Sequence, residues 1–342
     1  MKILITGGAG FIGSNFIRYI FKKHPDYKII NFDKLTYAGN LENLKDVEDN
    51  PDYKFVKGDI CDKKIVDEVI SEKPDAIINF AAESHVDRSI SDPHSFLKTD
   101  MQGVITLLEI AKKYNIKRFI QISTDEVYGS INETSCAEKH PLNPSNPYSA
   151  SKAAADLMVH SYFVTYKMPV LTVRSSNNFG PYQYPEKIIP LFITNLLEDK
   201  KVPLYGDGLN IRDWLYVLDN CEAIDLILDK GKEGEVYNVG GGNEKTNLEI
   251  TRLILREMGK DESYIDYVED RLGHDRRYSL DSSKIKETLG WQPKYNFEQS
   301  LKKTIQWYRN NEWWWKKIKS GEYLEYYKKQ YETGYKTQKR IS

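Results

Sequence analysis

The sequence predicts an α/β protein, a doubly wound parallel sheet with a smaller C-terminal lobe interleaved with it. Three observations carry that prediction. Short apolar strands alternate with helix-patterned segments from Lys2 to Arg174, as expected of a parallel sheet covered on both faces. A glycine-rich turn joins the first strand to the first helix. After Ser175 the alternation gives way to loops rich in Asn, Pro, Tyr and Gly.

In order, residues 2–6 form an apolar strand and 11–21 have helical spacing. Strands follow at 29–33 and 53–60, a helix around 63–71 and a strand at 76–80. A helix from about 95–114 leads into the strand 118–123, and one from about 149–166 precedes the strand 170–174. Beyond Ser175, helices are predicted near 188–197 and 216–229, then a strand at 235–239. Residues 247–258 are again helical, with Thr246 or Asn247 able to cap the free N–H groups. The stretch 307–340 is dense in aromatic and basic residues, including Trp313-Trp314-Trp315. A disordered tail is poor in such aromatics, so helix laid against the body is predicted. The resulting division gives 1–175, with later elements near 211–240, to the sheet domain, and 176–210 with 241–335 to the lobe.

Charge excludes some functions. The 49 basic residues nearly cancel the 50 acidic ones, leaving a formal charge of −1, so neither a nucleic-acid partner nor a membrane partner is expected. Cys61, Cys136 and Cys221 are scattered without metal-ligand spacing, so no metal is expected and a reducing compartment fits. No apolar run is long enough to span a bilayer, and the chain opens on a strand rather than a signal-peptide pattern. A cytoplasmic location is the expectation.

Gly7, Gly10 and Gly13 recur at every third residue between strand and helix. The first permits the turn, the second lets backbone approach a pyrophosphate, and the third lets the helix pack closely on the sheet. Phe11 and Ile12 begin a helix whose unpaired N–H groups can hold that anion. This is a Rossmann-type dinucleotide signature. Asp33 ends the next strand, where a carboxylate accepts ribose hydroxyls and repels a 2′-phosphate. The cofactor is therefore predicted to be NAD+, with Lys34 as a cation able to offset part of that repulsion. Asp59 and Ile60 are placed to meet the adenine edge, and Ala81 and Ala82 leave room for the dinucleotide.

Tyr148 and Lys152, four apart on a predicted helix, share one face. An adjacent ammonium favours the phenolate, which makes Tyr148 a candidate base for removing a hydroxyl proton as hydride leaves the same carbon. Lys152 can also hold the nicotinamide ribose. Thr124, Asp125 and Glu126 follow an apolar strand, at the sheet edge where doubly wound folds place reactive groups. Mutual repulsion raises one carboxyl pKa and leaves the other ionised, giving an acid and a base. Simple alcohol oxidation needs no such pair, so a second proton-transfer step is expected.

These segments resemble the dTDP-glucose 4,6-dehydratases, a family within the extended short-chain dehydrogenase/reductase superfamily. The resemblance rests on GGAGFIG (7–13), DKLTYAGNLENL (33–44), NFAAESHVDRSI (79–90), STDEVYG (123–129), YSASK (148–152), RSSNNFGPYQYPE (174–186), PLYGDGLNIRDWLY (203–216) and DRLGHDRRY (270–278). It implies oxidation at C4 of the glucosyl unit by Tyr148 with Lys152 and Thr124, elimination of water by Glu126 and Asp125, and return of hydride to C6 from retained NAD+. It adds Leu35, Thr36, Ser84, Thr99 and Asn178 to the cofactor site. For the substrate dTDP-glucose it implies Asn177 at the junction, Glu186 and Lys187 at a helix start, and Arg212, Asn247, Arg271 and His274 toward phosphates, ribose or base. Pro203 and Tyr205 would wall the thymine, and His85, Thr124 and Tyr331 would reach the substrate. A homodimer through helices 95–114 and 149–166 is also implied. Asp100 departs from the asparagine that many relatives carry. A sugar-nucleotide 4-epimerase, which needs no acid–base pair, and a dehydratase for another nucleotide remain the alternatives.

Overall fold

The computed structural model describes residues 1–131 and 133–332; the predicted tail segment 333–340, with the lobe's end at 335, lies outside them. The sheet domain opens with β1 (Lys2–Thr6), α1 (Phe11–Lys23), β2 (Lys28–Asp33), β3 (Tyr53–Lys57), α2 (Lys63–Ile70) and β4 (Ala76–Asn79). It continues through α3 (Val86–Ser91), α4 (Pro93–Phe96), a π-helical segment (Leu97–Gly103), α5 (Val104–Lys113), β5 (Phe119–Thr124), α6 (Pro147–Tyr166) and β6 (Val170–Ser175). Alternation within each strand explains the layers. Ile3 and Ile5 pack on one face and Leu4 on the other; Ile120 and Ile122 oppose Phe119 in the same way. Strands apolar on both faces need helices on both sides.

The lobe begins with β7 (Asn177–Phe179), α7 (Ile188–Leu197), β8 (Val202–Tyr205) and β9 (Ile211–Tyr216). The chain then makes α8 (Val217–Lys230) and β10 (Val236–Val239), followed by β11 (Glu244–Thr246), α9 (Asn247–Met258) and β12 (Ile265–Val268). It ends in α10 (Ser283–Leu289), α11 (Phe297–Asn310), α12 (Glu312–Ile318) and α13 (Glu322–Tyr327). The main sheet has the order β10-β6-β5-β4-β1-β2-β3, all parallel. Its order reverses between β1 and β4, which opens a crevice at the carboxyl ends of those strands.

Two predictions need correction. The helix 95–114 is interrupted: Asp92 caps α4, and a wider turn at Leu97–Gly103 precedes α5. Gly103 lies so close to Ile60 that an added Cβ would sit 2.4 Å from Ile60 Cδ1. The division of the chain also differs. β9, predicted with the sheet domain, pairs with β7 and β11 in the lobe, whereas α10 and Trp291, predicted in the lobe, pack with α8 and β10. The reason is two-sided burial: Leu215 enters the sheet core while Trp214 and Tyr216 enter the lobe core. Thr246 caps α9, in a capping box with Glu249.

The aromatic tail is helical up to its last described residues and braces both parts. A helix turns 100° per residue, so three consecutive tryptophans cannot share a face. Trp314 and Trp315 are buried, and Trp313 is 54% exposed. Trp314 Nε1 donates to Asn43 Oδ1 at 2.8 Å, tying α12 to the segment after β2. Replacing Trp314 by Phe orphans that buried acceptor and should cost at least about 1–3 kcal/mol in urea unfolding. Trp313→Phe should stay within about 0.5 kcal/mol of the parent; equal losses would refute this bracing role.

Candidate active site

The carboxyl ends of β1, β2, β4, β5 and β6 surround a long cleft, and the glycine turn forms its floor. Gly7 has φ +68°, and an added Cβ would lie 2.6 Å from the Ala81 nitrogen, so β1 and β4 exit too close together for any side chain. A Cβ on Gly13 would meet Gly7 O at 2.4 Å; the third glycine thus packs on the turn itself rather than on the sheet. α1 starts at Gly10 without a side-chain cap or an acidic residue in its first turn. Its N–H groups therefore face the cleft as an anion site.

Asp33 is buried at the end of β2 and accepts from Ala9 N at 2.9 Å and Leu35 N at 2.8 Å. Burial raises its pKa despite those two donors. Lys34 pairs with Asp59 at 2.8 Å, so its charge is already committed and leaves Asp33 free to exclude a 2′-phosphate. Phe11, Ile12, Thr36, Ile60, Ala81, Ala82, Ser84, Thr99, Lys152 and Asn178 line the same cleft. Leu35 does not; its backbone N–H holds Asp33 instead. A glycine cradle, an uncapped helix start and a carboxylate at the ribose end fit NAD+.

The reactive cluster lies at the inner end of this cleft. Thr124 caps the turn after β5: its Oγ1 accepts from Glu126 N and donates to Asp125 Oδ1, both at 3.2 Å. Tyr148 and Lys152 stand on α6, whose start is fixed by Pro147 and a reciprocal Asn146–Ser149 capping box. Lys152 Nζ donates to Ile122 O at 2.8 Å. The Tyr148 phenol hydrogen-bonds to Thr124, yet its pKa lies well above 10, raised by burial first and then by Glu126 and Asp100. This corrects the expectation that the Lys152 ammonium governs the phenol: desolvation and the carboxylates outweigh it. Asp125 is likewise held well above its ordinary value by burial, then by Glu126 and Asp213. Its Oδ2 is buried and has no hydrogen-bond partner among the described residues.

A second cavity opens into the lobe, and Glu126, Asn177, Asn178, Gln183, Glu186 and Lys187 line both spaces. His85, Pro203, Tyr205, Arg212, Asn247, Arg271, His274 and Tyr331 line the second. Arg212 donates to the carbonyls of Ile211 and Asp275 and lies over the Tyr278 ring at 4.2 Å. Arg271 is 3.9 Å from Asp87, and its Nε is buried without a partner among the described residues. Lys187 donates to Ser84 O at 2.6 Å, and burial lowers its pKa. Glu186 is already engaged by Tyr37 and Arg88. Burial lowers the pKa of His85 and His274, leaving both neutral. Two arginines and a lysine around one cavity suit a diphosphate. Among the described residues no cluster of three metal-ligating side chains occurs.

Sequence reasoning missed Tyr278, whose hydroxyl lies 3.3 Å from Glu126 Oε2 and 2.7 Å from Asp275 Oδ2. It also missed Asp213, held by the N–H groups of Gly241 and Asn243, and Asp87, buried beside Tyr205. The only sequence signal for Tyr278 was its place at the end of the motif 270–278.

The sheet, the glycine turn and the Tyr–Lys helix define an extended short-chain dehydrogenase/reductase. Residues 4–304 match the GDP-mannose 4,6 dehydratase family. The chain is 51% identical to the low-salt glycan biosynthesis protein Agl12 of Haloferax volcanii, over 90% of this chain and 98% of that one. The crystal structure of dTDP-glucose 4,6-dehydratase from Bacillus anthracis in complex with NAD is 54% identical, with a TM-score of 0.88, covering 93% and 99% of the two chains. The corresponding Streptomyces venezuelae enzyme with NAD and TYD bound is 48% identical, with a TM-score of 0.91, covering 93% and 100%. The chain belongs to the dTDP-glucose 4,6-dehydratase family.

Gly13→Ala should force the turn apart and weaken NAD+ binding roughly tenfold or more, a change of about 1.4 kcal/mol, as read by calorimetric titration. Undiminished affinity would show that this turn does not hold the pyrophosphate.

Proposed function

We propose that this chain converts dTDP-D-glucose into dTDP-4-dehydro-6-deoxy-D-glucose and water. The observation that carries the reading is Asp125, buried with its Oδ2 unpartnered among the described residues and its pKa raised, beside Glu126 at the place where the dinucleotide cleft meets the lobe cavity. Bound NAD+ supplies the acceptor for the C4 hydride and the donor that returns it to C6. Gly7, Gly10, Gly13 and Asp33 hold it, and Lys152 meets its nicotinamide ribose.

Tyr148, in its phenolate form and hydrogen-bonded to Thr124, accepts the C4 hydroxyl proton. The new ketone acidifies C5, and Glu126 removes that proton. Asp125, whose burial beside Glu126 favours its neutral acid form, delivers its proton to the departing C6 hydroxyl, which leaves as water. Glu126 returns its proton to C5 as C6 is reduced. Oxidation and reduction cancel, so no external oxidant is consumed. Arg212, Arg271 and Lys187 hold the diphosphate, while Pro203, Tyr205 and His274 border the base. Tyr205 meets Tyr331 at 5.9 Å between ring centroids and accepts from Gln330 at 2.8 Å, which supports closure of the nucleotide end by the tail.

The active form in this reading is a homodimer. Leu97, Leu157, Val164 and Tyr166 are each more than half exposed on the π-helical segment and α6, the two regions expected to pair. Among the described residues no helix is long and apolar enough to cross a membrane, and three free thiols fit the cytoplasm.

With C4-deuterated dTDP-glucose, deuterium should appear at C6 of a 4-keto product; inversion at C4 without loss of water would indicate an epimerase. Turnover of UDP- or GDP-glucose at the same rate would overturn the thymine preference. Tyr148→Phe should slow C4 oxidation roughly 10²–10⁴-fold with substrate affinity retained, as followed by rapid-mixing absorbance. Glu126→Gln should permit oxidation yet block elimination, so that reduced nicotinamide accumulates; unimpaired water release would sink its role.

A further inference from the structure

We propose that Asp100 is a positioning residue that sets the pH at which Tyr148 and Lys152 work: its carboxylate is clamped beside the pair, where its negative charge opposes ionisation of the phenol. The inference rests on the reading of Tyr148 as the base for C4 oxidation, and it concerns a residue outside the reacting set.

The clamp is built from three elements. Asp100 lies in the π-helical segment and is 1% exposed. Its Oδ1 accepts from Glu83 N at 2.9 Å, on the loop that follows β4 along the dinucleotide cleft. Its Oδ2 accepts from Ser151 Oγ at 2.7 Å, on α6 directly before Lys152. The same Ser151 hydroxyl lies 2.8 Å from Tyr148 O. The wider helical turn thus brings one carboxylate against both the cofactor loop and the backbone of the Tyr–Lys turn.

The charged groups around it act in different directions. Lys152 favours the Asp100 carboxylate and Glu83 opposes it, while burial dominates and pushes its pKa up to about 6. Tyr148 feels Glu126 and Asp125 from the turn after β5, and Asp100 from the π-helical segment. Above about pH 6 Asp100 is ionised and the phenol is harder to deprotonate. In buried surroundings such a charge moves a neighbour's titration by about one pH unit.

Asp100→Asn separates charge from scaffold, because the amide oxygen can still accept from Glu83 and the amide N–H can donate to Ser151 Oγ. The folded-state pKa of Asp100 is raised, so its ionised form opposes folding above about pH 6 and the neutral asparagine removes that penalty. The variant should therefore melt no lower than the parent at pH 7.5. In the protein without added cofactor, NMR of ¹³C-carboxyl-labelled aspartate should show one group titrating near pH 6 that is lost in Asp100→Asn. In NAD-loaded enzyme mixed with dTDP-glucose, the pH midpoint for reduced-nicotinamide formation should move about one unit toward acid. An unchanged midpoint beside a parent that oxidises normally would overturn the role of Asp100 alone. A lower melting temperature with activity lost at every pH would make Asp100 scaffolding and also overturn it. No reduced nicotinamide in the parent would defeat the underlying reading and this inference together.

Discussion

The reactive chemistry depends on one constraint: ionisable groups are withheld from water where the sheet domain meets the lobe. An unpaired charge in such surroundings costs several kcal/mol, so each group must be neutralised, paired or hydrogen-bonded. Burial and Glu126 both oppose the charge of Asp125 and raise its pKa. Burial and Glu126 likewise raise the pKa of the Tyr148 phenol. Lys152 finds a backbone carbonyl, and Glu186 takes Arg88 and Tyr37. In the proposed reaction the acid needed for leaving-group departure would thus come from desolvation rather than from an unusual residue.

That electrostatic arrangement requires the two parts of the chain to stay docked. β9 does much of this, since its alternate side chains enter both cores. The loop after β12 then carries Arg271, Asp275 and Tyr278 back across the site, and α10 anchors on the sheet domain beyond it. Tyr278 consequently reaches Glu126 from the lobe side, so the position of that carboxylate depends on contacts made 152 residues away in sequence. From the other side, Trp314 and Tyr323 fasten the C-terminal helices to Asn43 and Pro185. Losing any of these ties would admit water to groups whose protonation states depend on its exclusion.

Local patterns made most of the sheet domain legible. Strand alternation, the glycine turn and the cap of α9 act over a few residues, and each left a signature in the sequence, whereas the Asn146 cap that starts α6 two residues before the expected Ser149 did not. The cleft-lining residues after β1, β2, β4 and β5 followed from one rule, that doubly wound sheets bind at the carboxyl ends of their strands. What escaped was long-range. Nothing local marks α10 as part of the sheet core, because Ile285 and Trp291 find their partners through β10 and α8. The phenol of Tyr148 was misjudged for a related reason: the spacing to Lys152 was visible, whereas the burial and the carboxylates brought in by other elements were not. Lys34 shows the converse. By sequence its charge bears on the cofactor's ribose, but Asp59, two residues after β3, pairs with it.

The sharing of residues between the two cavities has a further consequence for catalysis. Asn177, Asn178, Gln183, Glu186 and Lys187 line both spaces, and Glu126 lies among them. A nucleotide held by Arg212 and Arg271 would therefore close the lobe end of the same volume in which the sugar must react. Exclusion of water there strengthens every interaction among Tyr148, Asp125 and Glu126 and protects a reactive unsaturated sugar from side reactions. Binding energy gained at the diphosphate is thereby spent at the sugar, the arrangement by which remote contacts raise turnover rather than affinity alone.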